Sequence, residues 1–84
     1  MANTTLKDLD IGDIFHSAKD TNKIYKDFVV RGNPEFNRGH GSSTRVCVNI
    51  SRNTIESKSC RMKIVKTGES AMKELYKKSP ISIK

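Results

Sequence analysis

Apolar and polar residues alternate through the middle of the chain in the two-residue rhythm of strands, and only the last quarter shifts to a helical rhythm. Four strands are predicted. Residues 14–16, Ile-Phe-His, follow a Gly12-Asp13 turn. Residues 23–31 place Ile24, Phe28 and Val30 on one face and Tyr25, Asp27, Val29 and Arg31 on the other. Residues 45–51 turn Val46, Val48 and Ile50 inward. Residues 59–66 turn Cys60, Met62 and Ile64 inward, and Arg52-Asn53-Thr54 is the turn of the hairpin between these two strands. At the front, Thr5 to Asp8 reads as a short capped turn in which the Thr5 hydroxyl and the Asp8 carboxylate satisfy orphan amides. After Lys66, the residues Ala71, Met72, Leu75 and Tyr76 form one stripe of a helix capped by Thr67 or Ser70 and stopped at Ser79-Pro80. That stripe is expected to pack on the sheet, and Ile81 and Ile83 to add an edge strand or meet a partner chain. The expected fold is α+β: a small twisted antiparallel sheet or open barrel of about four strands, closed by one C-terminal helix, with residues 1–84 as a single domain. Residues 32–43, holding three glycines and a proline, read as a long flexible loop.

Composition narrows the class. Only 35% of the 84 residues are hydrophobic and Trp is absent, so the core must be thin. No apolar run approaches the roughly 18 residues that cross a bilayer, and Met1 to Thr5 has neither the charged nor the apolar part of a secretory signal, which points to the cytoplasm. In such a compartment Cys47 and Cys60 are expected as buried free thiols, not as a disulfide. With His16 and His40 they supply the residue types of a zinc site, but neither pair has the close spacing such sites use, so no metal or other cofactor is expected. No nucleophile, base and orienting carboxylate converge, and an enzyme is not expected.

Charge is the most informative feature. Through Ser42 six basic residues balance six acidic ones; from Ser43 onward ten basic residues face three acidic ones, so the whole net charge of +7 lies in the second half. Such asymmetry suits a polyanion, because basic side chains release the counterions condensed on phosphates. The candidate contacts are Tyr25, Arg31, Arg38, His40, Arg45, Arg52, Lys58, Arg61, Lys63 and Lys66. Arg38 and His40 sit in the glycine-rich loop with Phe36, giving a charge, a hydrogen-bonding ring and a stacking surface. Tyr25, Arg31, Arg45, Arg61 and Lys63 lie opposite the apolar rows, on a sheet face suited to phosphates and an occasional base. Paired aromatics of an RNP sheet, a KH glycine loop and a P-loop ending are all missing, so sequence-specific reading is not expected. On this basis, replacing Arg45, Arg61 and Lys63 should weaken binding far more than replacing Lys7, Lys19 and Lys23. The competing expectations are a solvated sheet face that keeps the protein soluble, and a basic face that meets an acidic host protein without nucleic acid. A homodimer through the C-terminal helix or an edge strand would cover leftover apolar surface; a monomer whose helix closes its own sheet is the alternative.

The opening Leu6-Lys7-Asp8-Leu9-Asp10-Ile11-Gly12-Asp13-Ile14-Phe15 resembles the L-x-D-L-x-x-G-D-x-F start of small barrel-like proteins of phages and mobile elements. In size, basic character and Lys/Asn/Ile/Ser-rich style, the chain resembles small accessory proteins of T4-like phages, among them basic toxin-inhibitory factors that work with RNA against a host toxin ribonuclease. The resemblance implies a defence-countering inhibitor in the host cytoplasm that uses RNA as part of its interface.

Overall fold

The computed structural model describes residues 4–19, 27–33, 35–37 and 42–81. Strand β1, Thr4–Thr5, runs into a single 3-10 turn over Leu6–Asp8. The Asp8 carboxylate holds that turn, accepting from the Thr5 amide at 3.3 Å and the Thr5 hydroxyl at 3.0 Å. Gly12 then reverses the chain at φ 96°, where an added Cβ would lie 2.8 Å from the Cα of Lys73. Only glycine satisfies both conditions. Six more strands follow: β2, Asp13–Ser17; β3, Phe28–Val30; β4, Glu35–Asn37; β5, Ser42–Asn49; β6, Thr54–Ser59; and β7, Lys63–Glu69. One short helix, α1, Lys73–Lys78, comes after them.

All pairings are antiparallel. The order is β1-β7-β2-β3-β5-β4, and β6 lies along the opposite edge of β5 from β3 and β4. The α+β expectation of an open antiparallel sheet with one helix holds, but four strands is too few: among the described residues the sheet has seven. The three extra strands carry weak apolar patterns. β1 has two residues, β6 is Thr-Ile-Glu-Ser-Lys-Ser, and β4 sits inside the glycine-rich 32–43 stretch, where its backbone pairs with the start of β5. The predicted strand over 59–66 begins only at Lys63, as β7, and it pairs with β1 and β2; the hairpin partner of β5 is β6 instead. A turn through Cys60 to Met62, closed by the Met62 amide donating to the Ser59 carbonyl at 3.1 Å, divides β6 from β7.

Register decides the faces. Phe28 and Val30 point into the core, and directly opposite them on β5 lie Asn49 and Cys47. The inward row of β5 is therefore Arg45, Cys47 and Asn49, not the predicted Val46, Val48 and Ile50; a shift of one residue moves every side chain to the other face. Val46 is nevertheless buried, because the chain near Gly32 and Ile81 covers that side, whereas Ile50 is exposed. The core is one cluster of Leu6, Leu9, Ile11, Phe15, Phe28, Val30, Cys47 and Ile64, with Phe15 and Phe28 stacked at 5.7 Å. Four of these eight come from the opening segment that carries the phage-protein resemblance, so its apolar residues build the core.

The helix packs only in part as predicted: of its apolar stripe, Tyr76 lies against the core cluster. No residue of α1 is buried, and Met72 and Leu75 are about half exposed. Six residues are too few for a helix to stand on propensity alone, and three side chains fasten it instead, one being Lys77, which pairs with Asp10 at 3.3 Å. Tyr76 lies under the Arg31 guanidinium, 3.8 Å from the ring centre, and Lys73 bonds to Asp13 at 2.9 Å and to Glu69 at 2.8 Å. Beyond the helix the chain crosses Gly32, where the Ile81 amide donates to the Arg31 carbonyl at 2.8 Å. Among the described residues no helix is long and apolar enough to cross a membrane.

Both cysteines are free and buried. Burial pushes the Cys47 thiol up to about 12, which withholds the reactive thiolate at neutral pH. A thiol reagent such as DTNB is expected to leave both cysteines unmodified in the native protein and to titrate both in urea. Rapid labelling of Cys47 without denaturant would show that β5 opens far more readily than this packing allows.

Candidate nucleic-acid interface

Two short serine turns present the main basic groups. At the end of β2 the Ser17 hydroxyl accepts the Lys19 amide at 3.2 Å, and at the end of β6 the Ser59 hydroxyl accepts the Arg61 amide, also at 3.2 Å. Both are i to i+2 side-chain-to-backbone bonds, the local alternative to strand pairing that serine favours. The Ala18 amide ties the two turns together by donating to the Lys63 carbonyl at 3.0 Å. Together Ser17, Lys19, Ser59, Arg61, Met62 and Lys63 line a groove of about 700 Å³. A smaller groove of about 260 Å³ adjoins it, sharing Ser17 and Met62 and adding Phe28, Asn49, Arg52, Glu56 and Lys58. In that second groove the Lys58 ammonium sits 4.1 Å from the centre of the Phe28 ring and 3.6 Å from the Glu56 carboxylate. Asn49, almost fully buried, accepts the Arg52 amide through Oδ1 at 3.1 Å and so fixes the turn that carries Arg52.

The grooves thus bring together Arg52, Lys58, Arg61 and Lys63 from the predicted set, and add Lys19 from the electrically neutral half of the chain. No family, no curated protein and no solved structure matches the chain.

Arg45 is the clearest correction to the predicted site. It is 3% exposed and faces the core. Its Nε donates to the Gly32 carbonyl at 3.0 Å, and its Nη1 donates to the carbonyls of Leu6, at 3.1 Å, and Leu9. Burial lowers its pKa from the ordinary arginine value, and no carboxylate pairs with it among the described residues. The guanidinium is a rivet between three segments and is unavailable to a phosphate. Arg31 is occupied over Tyr76, and Lys66 lies within 3.5 Å of both Asp13 and Glu69, so neither lines a groove. Tyr25, Arg38 and His40 lie outside the described residues. Lys19, Ser17, Ser59 and Met62 were not among the predicted contacts. The signal that points to them is the repeated serine-small-basic triplet, Ser17-Ala18-Lys19 and Ser59-Cys60-Arg61. Among the described residues no cluster of His, Cys, Asp and Glu has the arrangement of a metal site.

Asp13 anchors the side of the sheet where the helix begins. Its carboxylate is 3% exposed and accepts the Asp10 amide at 2.8 Å besides the Lys73 ammonium. Burial, the largest single influence, would raise its pKa. The Lys73 hydrogen bond, the Asp10 amide and the charges of Lys66 and Lys73 together outweigh that and lower it below the ordinary 3.8. A depressed carboxylate stabilises the fold above its unfolded pKa and loses that contribution as pH falls through the folded one. Urea midpoints followed downward from pH 6 should therefore fall more steeply in wild type than in Asp13→Asn once pH drops below 3.8. Parallel curves for the two proteins would remove Asp13 from the acid response.

Proposed function

We propose that this protein binds RNA or another single-stranded nucleic acid through the groove between the end of β2 and the β6–β7 turn. One observation carries the reading: Lys19, Arg61 and Lys63, brought from separate parts of the chain, line a single groove that continues past Met62 toward Arg52 and Lys58. Three cations along one channel suit the phosphates of a strand, and the Met62 side chain offers a soft apolar contact to bases between them. The net charge of +7 adds long-range attraction. Because phosphates dominate such contacts, affinity is sensitive to salt and tolerant of sequence. The likeness of the chain to small phage accessory proteins supports a role for this binding in countering a host nuclease, with RNA as part of the inhibitory interface.

The test is a titration of fluorescent single-stranded RNA and DNA oligonucleotides at several salt concentrations. Binding whose logarithm falls linearly with the logarithm of salt supports the reading; no binding at low salt overturns it. Affinity capture from host lysate with and without nuclease then tests the inhibitory role. A host protein lost on nuclease treatment fits an RNA-bridged complex, and one retained after it favours direct contact of the basic groove with an acidic protein surface.

A further inference from the structure

We propose that two copies of this chain pair antiparallel along the free edge of β6, with the two-fold axis at Ser57. Among the described residues the only strand that pairs with β6 is β5, which leaves its other edge without a strand partner; only Ser59, at its end, also bonds into the turn that follows. Such an edge is a template for another strand: Thr54–Ser59 has no proline, its register with β5 runs unbroken from Thr44↔Ser59 to Asn49↔Thr54, and its two charges, Glu56 and Lys58, refuse any partner strand that does not pair them with opposite sign.

The occupant and the register follow from charge. A two-fold axis perpendicular to the sheet pairs residues that share a face, so the axis must pass through one residue of the strand. An axis at Ile55 sets Lys58 opposite the second copy's Arg52, like against like. At Glu56 it sets two carboxylates opposite each other, and at Lys58 two ammonium groups. At Thr54 Glu56 faces the second copy's Arg52, but that residue lies outside the strand and only the end of β6 overlaps; at Ser57 opposite charges meet within the strand itself, Glu56 facing the second copy's Lys58 and Lys58 its Glu56, while Ile55 meets Ser59. Within one chain Glu56 and Lys58 already lie 3.6 Å apart on the inner face, so pairing closes a ring of four alternating charges around the axis. Both residues line the smaller groove. The dimer therefore sets the two smaller grooves side by side and joins the basic channels into one.

Sedimentation equilibrium over a range of concentrations tests the pairing. Wild type is expected as a concentration-dependent dimer. Glu56→Lys and Lys58→Glu, each made alone, are expected as folded monomers, because every cross-axis pair then becomes like-charged. An equimolar mixture of these two monomers is expected to form a heterodimer, since one strand then carries two lysines and the other two glutamates. The double exchange Glu56→Lys/Lys58→Glu is expected to restore the homodimer. Circular dichroism checks that each variant is folded, and the mixture and the double exchange keep the test valid if one single variant is destabilised. A wild-type monomer at every concentration overturns the proposal. So does a double exchange that stays monomeric, or single reversals that leave the dimer intact.

Discussion

Arg45→Met is expected to lose about half of the stability of the fold. The substitution keeps most of the stem but strands the carbonyls of Leu9 and Gly32 and leaves that of Leu6 with only the Leu9 amide, in segments that the guanidinium holds together. An orphaned buried acceptor costs about 1–3 kcal/mol, so two cost about 2–6. A domain of this length holds only about 4–12 kcal/mol in total. Arg45→Lys should fall between the two, because one ammonium cannot reproduce a fork that bonds on two sides through Nε and Nη1. Urea and thermal unfolding followed by circular dichroism measure both variants. A loss under about 1 kcal/mol for Arg45→Met, equivalent to about 4–8 °C in Tm, would mean that water replaces the guanidinium and that the rivet carries little.

The second large effect is on binding. The triple variant Lys19→Gln/Arg61→Gln/Lys63→Gln removes the three cations of the main groove. Each phosphate contact contributes about 0.7 to the salt slope for a single strand, so the slope should shrink by about 2. If affinities converge near 1 M salt, that corresponds to about 100-fold weaker binding at 0.1 M. The control Lys7→Gln/Lys77→Gln/Lys78→Gln changes net charge equally, at exposed positions outside the groove. It should keep most of the slope. Equal losses in the two triples would show that charge acts through its total and not through the groove.

The opening segment was the most legible part of the chain. Thr5 and Asp8 form their turn, Gly12 its reversal, and the apolar residues up to Phe15 their share of the core, because each depends on neighbours within a few residues. β5 was less legible. Val46, Val48 and Ile50 alternate cleanly, yet both faces of that strand are covered near Val46, so apolar pattern alone could not choose between them. Pairing with Phe28 and Val30 made the choice. Arg45 was misread for the same reason: its partners are carbonyls 13, 36 and 39 residues away, which no local pattern encodes. The groove was half legible. Arg61 and Lys63 stand out in a basic stretch, whereas Lys19 reaches them only through the β2–β7 pairing, where Ser17 lies opposite Ile64.

That same pairing has a kinetic consequence. β1 sets Thr4 beside Ile64, and β7 then joins β2, so the two ends of the described chain must meet before the middle of the sheet has both neighbours. Closing loops of that length costs entropy before any strand contact repays it, and sheets with such distant partners fold in about milliseconds to seconds. On a ribosome, β2 waits for β7 to emerge. Until then the Phe15 ring lacks the strand that flanks it through Lys66, and the nascent chain exposes the residues that later form its core.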